Sequence, residues 1–210
     1  MTAPRGQARI DHAVTSGTFS LDGQTFPVDN NIWVVGDDAE CVVIDAPHSV
    51  TDILAVVGGR TVKAILCTHA HDDHVRVAPE LRDRTGAPIL LHPDDKPLWQ
   101  LTHSAHTWDR NVYDGYEITV AGTALRALHT PGHAPGAVCY FAPELGCVFT
   151  GDTLFQGGPG ATGRSYSDED LIKQSIRARL FALPEDTVVH TGHGADTTIG
   201  TERKLLGFGA

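Results

Sequence analysis

The run His69-Ala70-His71-Asp72-Asp73-His74 stands directly after the apolar stretch VKAILC at 62–67. Apolar residues in so short a run read as a buried strand, and the polar residues 68–74 as the loop at its end. In an extended loop, residues i and i+2 point to the same side. His69 and His71 can therefore converge on one point while Asp73 and His74 turn towards another. Imidazole and carboxylate are the usual nitrogen and oxygen ligands of zinc and similar ions. A lone histidine would read as a surface residue; four donor side chains packed this closely point to metal.

Further along, three loops occupy the same kind of position, each following an apolar strand. They are Thr130-Pro131-Gly132-His133, Gly151-Asp152-Thr153 and Thr191-Gly192-His193-Gly194. Each sets one donor among glycines, which let backbone approach a crowded centre. His133, Asp152 and His193 bring the set to seven ligands, enough for two cations if one carboxylate bridges. Asp152 is the natural bridge.

The rest of the chain supplies alternating strands and helices. Extended segments are expected at 18–20, 25–28, 31–35 and 41–45, with turns at Asp22-Gly23 and Gly36-Asp37. A helix at 50–57 should end at Gly58-Gly59. A second is expected at 75–84, then a strand at 88–91 and a short helix at 94–100. Later strands are expected at 116–119, 124–129, 137–141, 147–150 and 187–190. Ser167, with Asp170 three residues on, gives a capping-box signal for a helix whose apolar stripe is Leu171, Ile172, Ile176 and Leu180. This pattern fits an α/β fold of two packed sheets covered by helices.

With HxHxDH at 69–74 followed in order by a single His, Asp and His, the sequence resembles the metallo-β-lactamase superfamily. The resemblance implies an αββα sandwich, two mixed sheets flanked by helices, as one domain over 1–210. It implies one site of His69, His71 and His133, a second of Asp73, His74 and His193, and Asp152 between them. It also implies that Asp45, in VVIDAP, supports the metal loop from behind. The cofactors implied are two divalent ions, zinc first, with iron or manganese as alternatives.

Two dications sharing a water hold a hydroxide near neutral pH, with Asp73 and Asp152 as the carboxylates that place it. No GxSxG nucleophile motif is present. Among branches of the superfamily, GDTLF at 151–155, Gly163-Arg164, TPGH and GHG are similar to the glyoxalase II group, which implies hydrolysis of a small-molecule thioester. Seventeen residues follow His193, so the expectation is the short single-domain form, with the thiol carrier open between glutathione, mycothiol and others. Arg164 and Tyr166 are the candidates for gripping an anionic substrate. Arg76, where the family's helix often begins with small residues, is a further one. The alternative is a mononuclear iron persulfide dioxygenase using His69, His133 and Asp152. A lactonase would be expected to carry Tyr where Phe155 stands, and a non-catalytic metal-binding module would be expected to have lost a ligand.

Composition narrows the partners. With 26 acidic and 16 basic residues the formal charge is −10, unlike the basic surface that tracks nucleic acid. No stretch reaches the roughly 20 apolar residues of a membrane span, and MTAPRGQARI lacks a signal-peptide core. Four cysteines without CxxC spacing read as buried thiols in a reducing compartment. The expectation is a cytoplasmic protein acting on a small molecule, with its oligomeric state open.

Overall fold

The computed structural model describes residues 7–207. The chain opens with two 13-residue strands, β1 (Arg9–Leu21) and β2 (Gln24–Gly36), joined at Asp22-Gly23. Both turn residues have positive φ (54° and 72°), as a two-residue hairpin turn matched to strand twist requires. The short strands expected at 18–20, 25–28 and 31–35 are thus parts of one long hairpin. Its outer half lies partly exposed, so apolar periodicity fades there although pairing continues from Arg9–Gly36 to Leu21–Gln24.

Next come β3 (Glu40–Ile44), α1 (Val50–Val57), β4 (Thr61–Leu66), α2 (Asp72–Val75), α3 (Ala78–Thr85) and β5 (Ile89–Leu91). After α4 (Lys96–Thr102), β6 (Arg110–Asn111) completes a sheet ordered β1-β2-β3-β4-β5-β6. The helix expected at 75–84 is broken in two. The first turn begins inside the metal loop, and Pro79, which has no amide hydrogen to give, suits the first turn of the second helix.

A second sheet collects β7 (Glu117–Val120), β8 (Thr123–His129), β9 (Val138–Ala142) and β10 (Cys147–Gly151). The ribbon β11 (Leu154–Phe155) and β12 (Gly158–Pro159) and helix α5 (Glu169–Ser175) precede β13 (Val188–Thr191), β14 (Thr197–Thr198) and α6 (Ile199–Leu205). The sheet order is β14-β13-β10-β9-β8-β7, with β10 and β13 parallel and the other pairs antiparallel. The cap of α5 differs from expectation: Asp168 accepts from the Leu171 amide at 2.9 Å. The Ser167 hydroxyl is engaged instead by the Gly163 and Arg164 amides.

Alternate residues divide the core into layers. Ile32, Val34, Cys41, Val43 and Ile65 face α1, α3 and α4, while Trp33, Val35, Val42, Ile44 and Leu66 face the second sheet. On the far side Val148 and Val189 meet Ile172, Ile176, Leu180 and Ile199. Strands buried on both faces read as unbroken apolar runs, which is why β3 and β4 stand out in the sequence. The layers are helix, sheet, sheet, helix: an αββα sandwich. All four cysteines are buried and unbridged. No helix among the described residues is long and apolar enough to cross a membrane.

Hydrogen bonds between the sheets fix the rim where the strands end. Trp33 Nε1 and Asn31 Nδ2 both donate to the Thr191 carbonyl at 2.9 Å, and the Asn31 amide donates to the Gly192 carbonyl at 2.9 Å. Tyr140 Oη donates to the Cys67 carbonyl at 3.0 Å. Buried bonds of this kind each stabilise by about 1 kcal/mol. Here they tie β2 to the loop after β13, and β9 to the end of β4.

Candidate metal centre

All seven donors meet at that rim. His69 and His71 follow β4, Asp73 and His74 lie in α2, His133 follows β8, Asp152 follows β10 and His193 follows β13. The one-turn helix is what parts the two halves of the motif. His71 is extended, and the helical turn that follows swings Asp73 and His74 to a neighbouring point.

The first group is His69, His71 and His133. His71 Nδ1 lies 3.0 Å from both His69 Nε2 and His133 Nε2. The second is Asp73, His74 and His193, with His74 Nε2 3.2 Å from His193 Nε2 and His193 Nε2 3.3 Å from Asp73 Oδ2. Asp152 stands between: Oδ1 faces His74 Nε2 at 3.2 Å, and Oδ2 faces His133 and His193 at 3.5 and 3.4 Å.

Four of the five outer ring nitrogens are held so that the inner ones turn inward, and the fifth, His71 Nε2, is buried without a partner among the described residues. His74 Nδ1 donates to Asp45 at 2.8 Å, His133 Nδ1 to the Ala161 carbonyl at 2.8 Å, and His193 Nδ1 to the Asp29 carbonyl at 2.7 Å. His69 Nδ1 lies 3.1 Å from the Thr68 hydroxyl, which itself donates to Asp45. Such partners fix the tautomer and aim a lone pair at a metal. Asp45 also accepts from the Thr68 amide at 2.6 Å, so one carboxylate supports both groups.

The electrostatics call for cations. Burial holds His69 well below the ordinary histidine range, and burial with His133 pushes His71 down to about 3. Burial also lowers His133. Three neutral rings therefore face one another at distances where a proton can satisfy one pair but not all three. In the second group burial lowers His74 and His193, but Asp152 and Asp73 outweigh it and raise both. Those are positions where carboxylates attract positive charge. The donor set fits two divalent ions, one on three neutral imidazoles and one on a mixed set, with Asp152 facing both.

Glycines let the strand ends close in. A Cβ on Gly192 would sit 2.4 Å from Asp152 Oδ1 and 2.8 Å from His74 Cε1. Gly192→Ala is expected to leave the fold intact while weakening metal binding by about tenfold, the scale of a displaced supporting contact. Elemental analysis after dialysis checks it, and wild-type metal content would contradict it. A Cβ on Gly160 would lie 1.8 Å from the Asp152 carbonyl oxygen. The glycine-rich loop at 157–163 therefore packs on the centre and orients His133 through Ala161.

A cavity of about 650 Å³ opens over the donors. Phe19, Phe26 and Val28 of the long hairpin and Phe155 give it apolar walls, with His71, Asp73, His133, Asp152 and His193 at its floor. Arg164 also lines it, stacked 5.2 Å and 4.6 Å from the Phe19 and Phe26 ring centres. Its Nη1 is buried without a hydrogen-bond partner among the described residues. The other two substrate candidates lie elsewhere. Tyr166 is 48% exposed and does not line this cavity. Arg76 bonds the Thr18 carbonyl and hydroxyl and pairs with Asp72, also away from it.

Two contributors carry no motif. Asn30 donates to Asp73 Oδ2 at 3.1 Å and accepts from His48 Nε2 at 2.7 Å. A polar Asn30-Asn31 pair leading into the apolar run of β2 is the sequence signal that could have singled it out. The cluster His92, Asp94 and His129 lies apart. Its two rings stack 4.1 Å apart at 9°, so their lone pairs run parallel rather than to one point. His103, His106 and Trp108 line a separate cavity with Trp99.

The family model of the metallo-beta-lactamase superfamily matches residues 25–193. The chain belongs to that superfamily, and its metal-ligand clusters and named relatives make it a metal-dependent hydrolase. It is 35% identical over 159 residues to the hydroxyacylglutathione hydrolase GloC of Haemophilus influenzae, covering 70% of this chain and 75% of that one. A solved structure of BLEG-1, a B3 metallo-beta-lactamase, is similar with TM-score 0.78 and 30% identity, covering 90% of this chain and 97% of that one. TTHA1623, solved in a di-iron-bound form, is similar with TM-score 0.75 and 34% identity over 86% of this chain and 95% of that one.

Proposed function

We propose that the protein hydrolyses the thioester of a small thiol, as a glyoxalase II-like enzyme. The observation that carries this is the cavity, with a donor cluster at its floor, apolar walls and an arginine, Arg164, whose buried Nη1 has no partner among the described residues. Bound at the seven donors, two divalent ions, zinc first and iron or manganese as alternatives, would supply hydroxide at neutral pH and polarise a carbonyl. The chain's own residues do the rest. Asp73 and Asp152 accept hydrogen bonds at the point of attack and hold its position. Phe19, Phe26, Val28 and Phe155 exclude bulk water from the reacting bond. A thiol of pKa near 8.5 leaves as thiolate with little need of a general acid. An amide nitrogen would need one.

The di-iron-bound structure supports a two-ion reading, and the named hydrolase supports a thioester. Arg164 fits an anionic end of the substrate, since burial against two rings strengthens a charge-assisted hydrogen bond. Arg164→Ala is expected to raise KM for a carboxylate-bearing thioester by about tenfold or more, the scale of a lost bond to a charged group. KM for a small uncharged ester should barely move, and equal effects on both would assign Arg164 to the scaffold. A panel of thioesters followed by thiol release tests the reaction itself. Oxygen uptake on a thiol persulfide, with no thioester turnover, would favour the one-iron dioxygenase instead.

A further inference from the structure

Asp95 is fully buried and lies at the start of α4, beyond the chain's metal motifs. Its two oxygens serve different loops. Oδ2 accepts from the Ala70 amide at 2.7 Å, and Oδ1 accepts from the Gly136 amide at 2.5 Å. Ala70 is flanked by His69 and His71, and Gly136 closes the turn that carries His133. One carboxylate thus spans the two segments that supply the three-histidine group. Its approach depends on the missing side chain at Gly136, where a Cβ would sit 2.7 Å from the Asp95 amide nitrogen and 2.9 Å from Cγ.

The second group is supported differently. The Asp45 carboxylate holds the outer nitrogen of His74 and the Asp29 backbone carbonyl that of His193, and neither His74 nor His193 is bonded to Asp95. Asp95 thus serves the first group alone, whereas Asp45 serves the second directly and the first through Thr68. We propose that Asp95 is a positioning residue for the three-histidine site, setting the distance between the His69–His71 segment and the His133 turn.

The inference rests on the two-ion reading, and cobalt(II) separates the two, because its visible absorption reports the ligand set of each site. Metal-free wild type is expected to take two equivalents in two spectral steps. In Asp95→Asn, the amide can accept from one backbone N–H but turns its own NH2 towards the other. The three-histidine step is expected to weaken by tenfold or more, the scale for partners behind metal ligands. The mixed-ligand step should stay within about twofold, and the metal-free protein should melt as a folded chain. Gly136→Ala, which crowds the carboxylate without removing it, is expected to give the same selective loss and decides the matter should Asp95→Asn fail to fold. Equal weakening of both steps, or unchanged steps with a lowered metal-free melting temperature, would overturn the positioning role. Wild type that takes no cobalt would overturn the metal reading itself, and this inference with it.

Discussion

Asp152→Ala is expected to lower turnover by about a thousandfold or more, the cost of losing a group that serves both ions of a two-metal site. The same variant should bind fewer than two ions per chain. The reason is geometric. Asp152 faces His74 with one oxygen and His133 and His193 with the other, so this one carboxylate touches both groups. It sits at the end of β10 against Gly192, where an added Cβ would lie 2.4 Å from Asp152 Oδ1. The measurement is steady-state turnover with elemental analysis of the same preparation. Unaltered turnover with two ions still bound would remove Asp152 from its bridging position.

Stripping the metal is expected to have the second large effect. Without cations the centre leaves three neutral imidazoles facing one another and draws protons onto His74 and His193. An ion present at about a thousand times its Kd stabilises the folded chain by about 4 kcal/mol, which is about 8–16 °C in Tm for a chain of this size. The sign of the pH dependence follows from the raised histidines. Protons on His74 and His193 must leave before metal enters, so the gain in Tm should grow as pH rises from about 6 to about 8. Superimposable melting curves with and without zinc, at both pH values, would contradict the reading of the centre.

The clustering of the seven donor side chains was legible because each lies at or within a turn of the end of an apolar strand, and strand ends converge on one rim in a sandwich. The seven positions needed only order and residue type. What lay beyond the sequence was long-range pairing. Asp95 reads as an acid at a helix start, since its partners at Ala70 and Gly136 are 25 and 41 residues away. Asn30 and His48 act through each other across 18 residues and belong to no motif. The long hairpin was obscured because its outer half lies partly exposed and includes Pro27, which breaks strand periodicity without breaking the pairing to Thr18. Ser167 and Asp168 compete for one cap, and the Gly163–Arg164 turn, by engaging the serine, leaves the aspartate to take it. Tyr166 and Arg76 were placed by neighbourhood in sequence, which does not carry the direction of a side chain.

The central claim is that two ions at these seven donors act together on a thioester. The direct measurement is a titration of metal-free protein with zinc while thiol release is followed at constant substrate. Turnover is expected to stay low through the first equivalent and climb to a plateau at the second. Full turnover at one equivalent, or none at any zinc level, would contradict it.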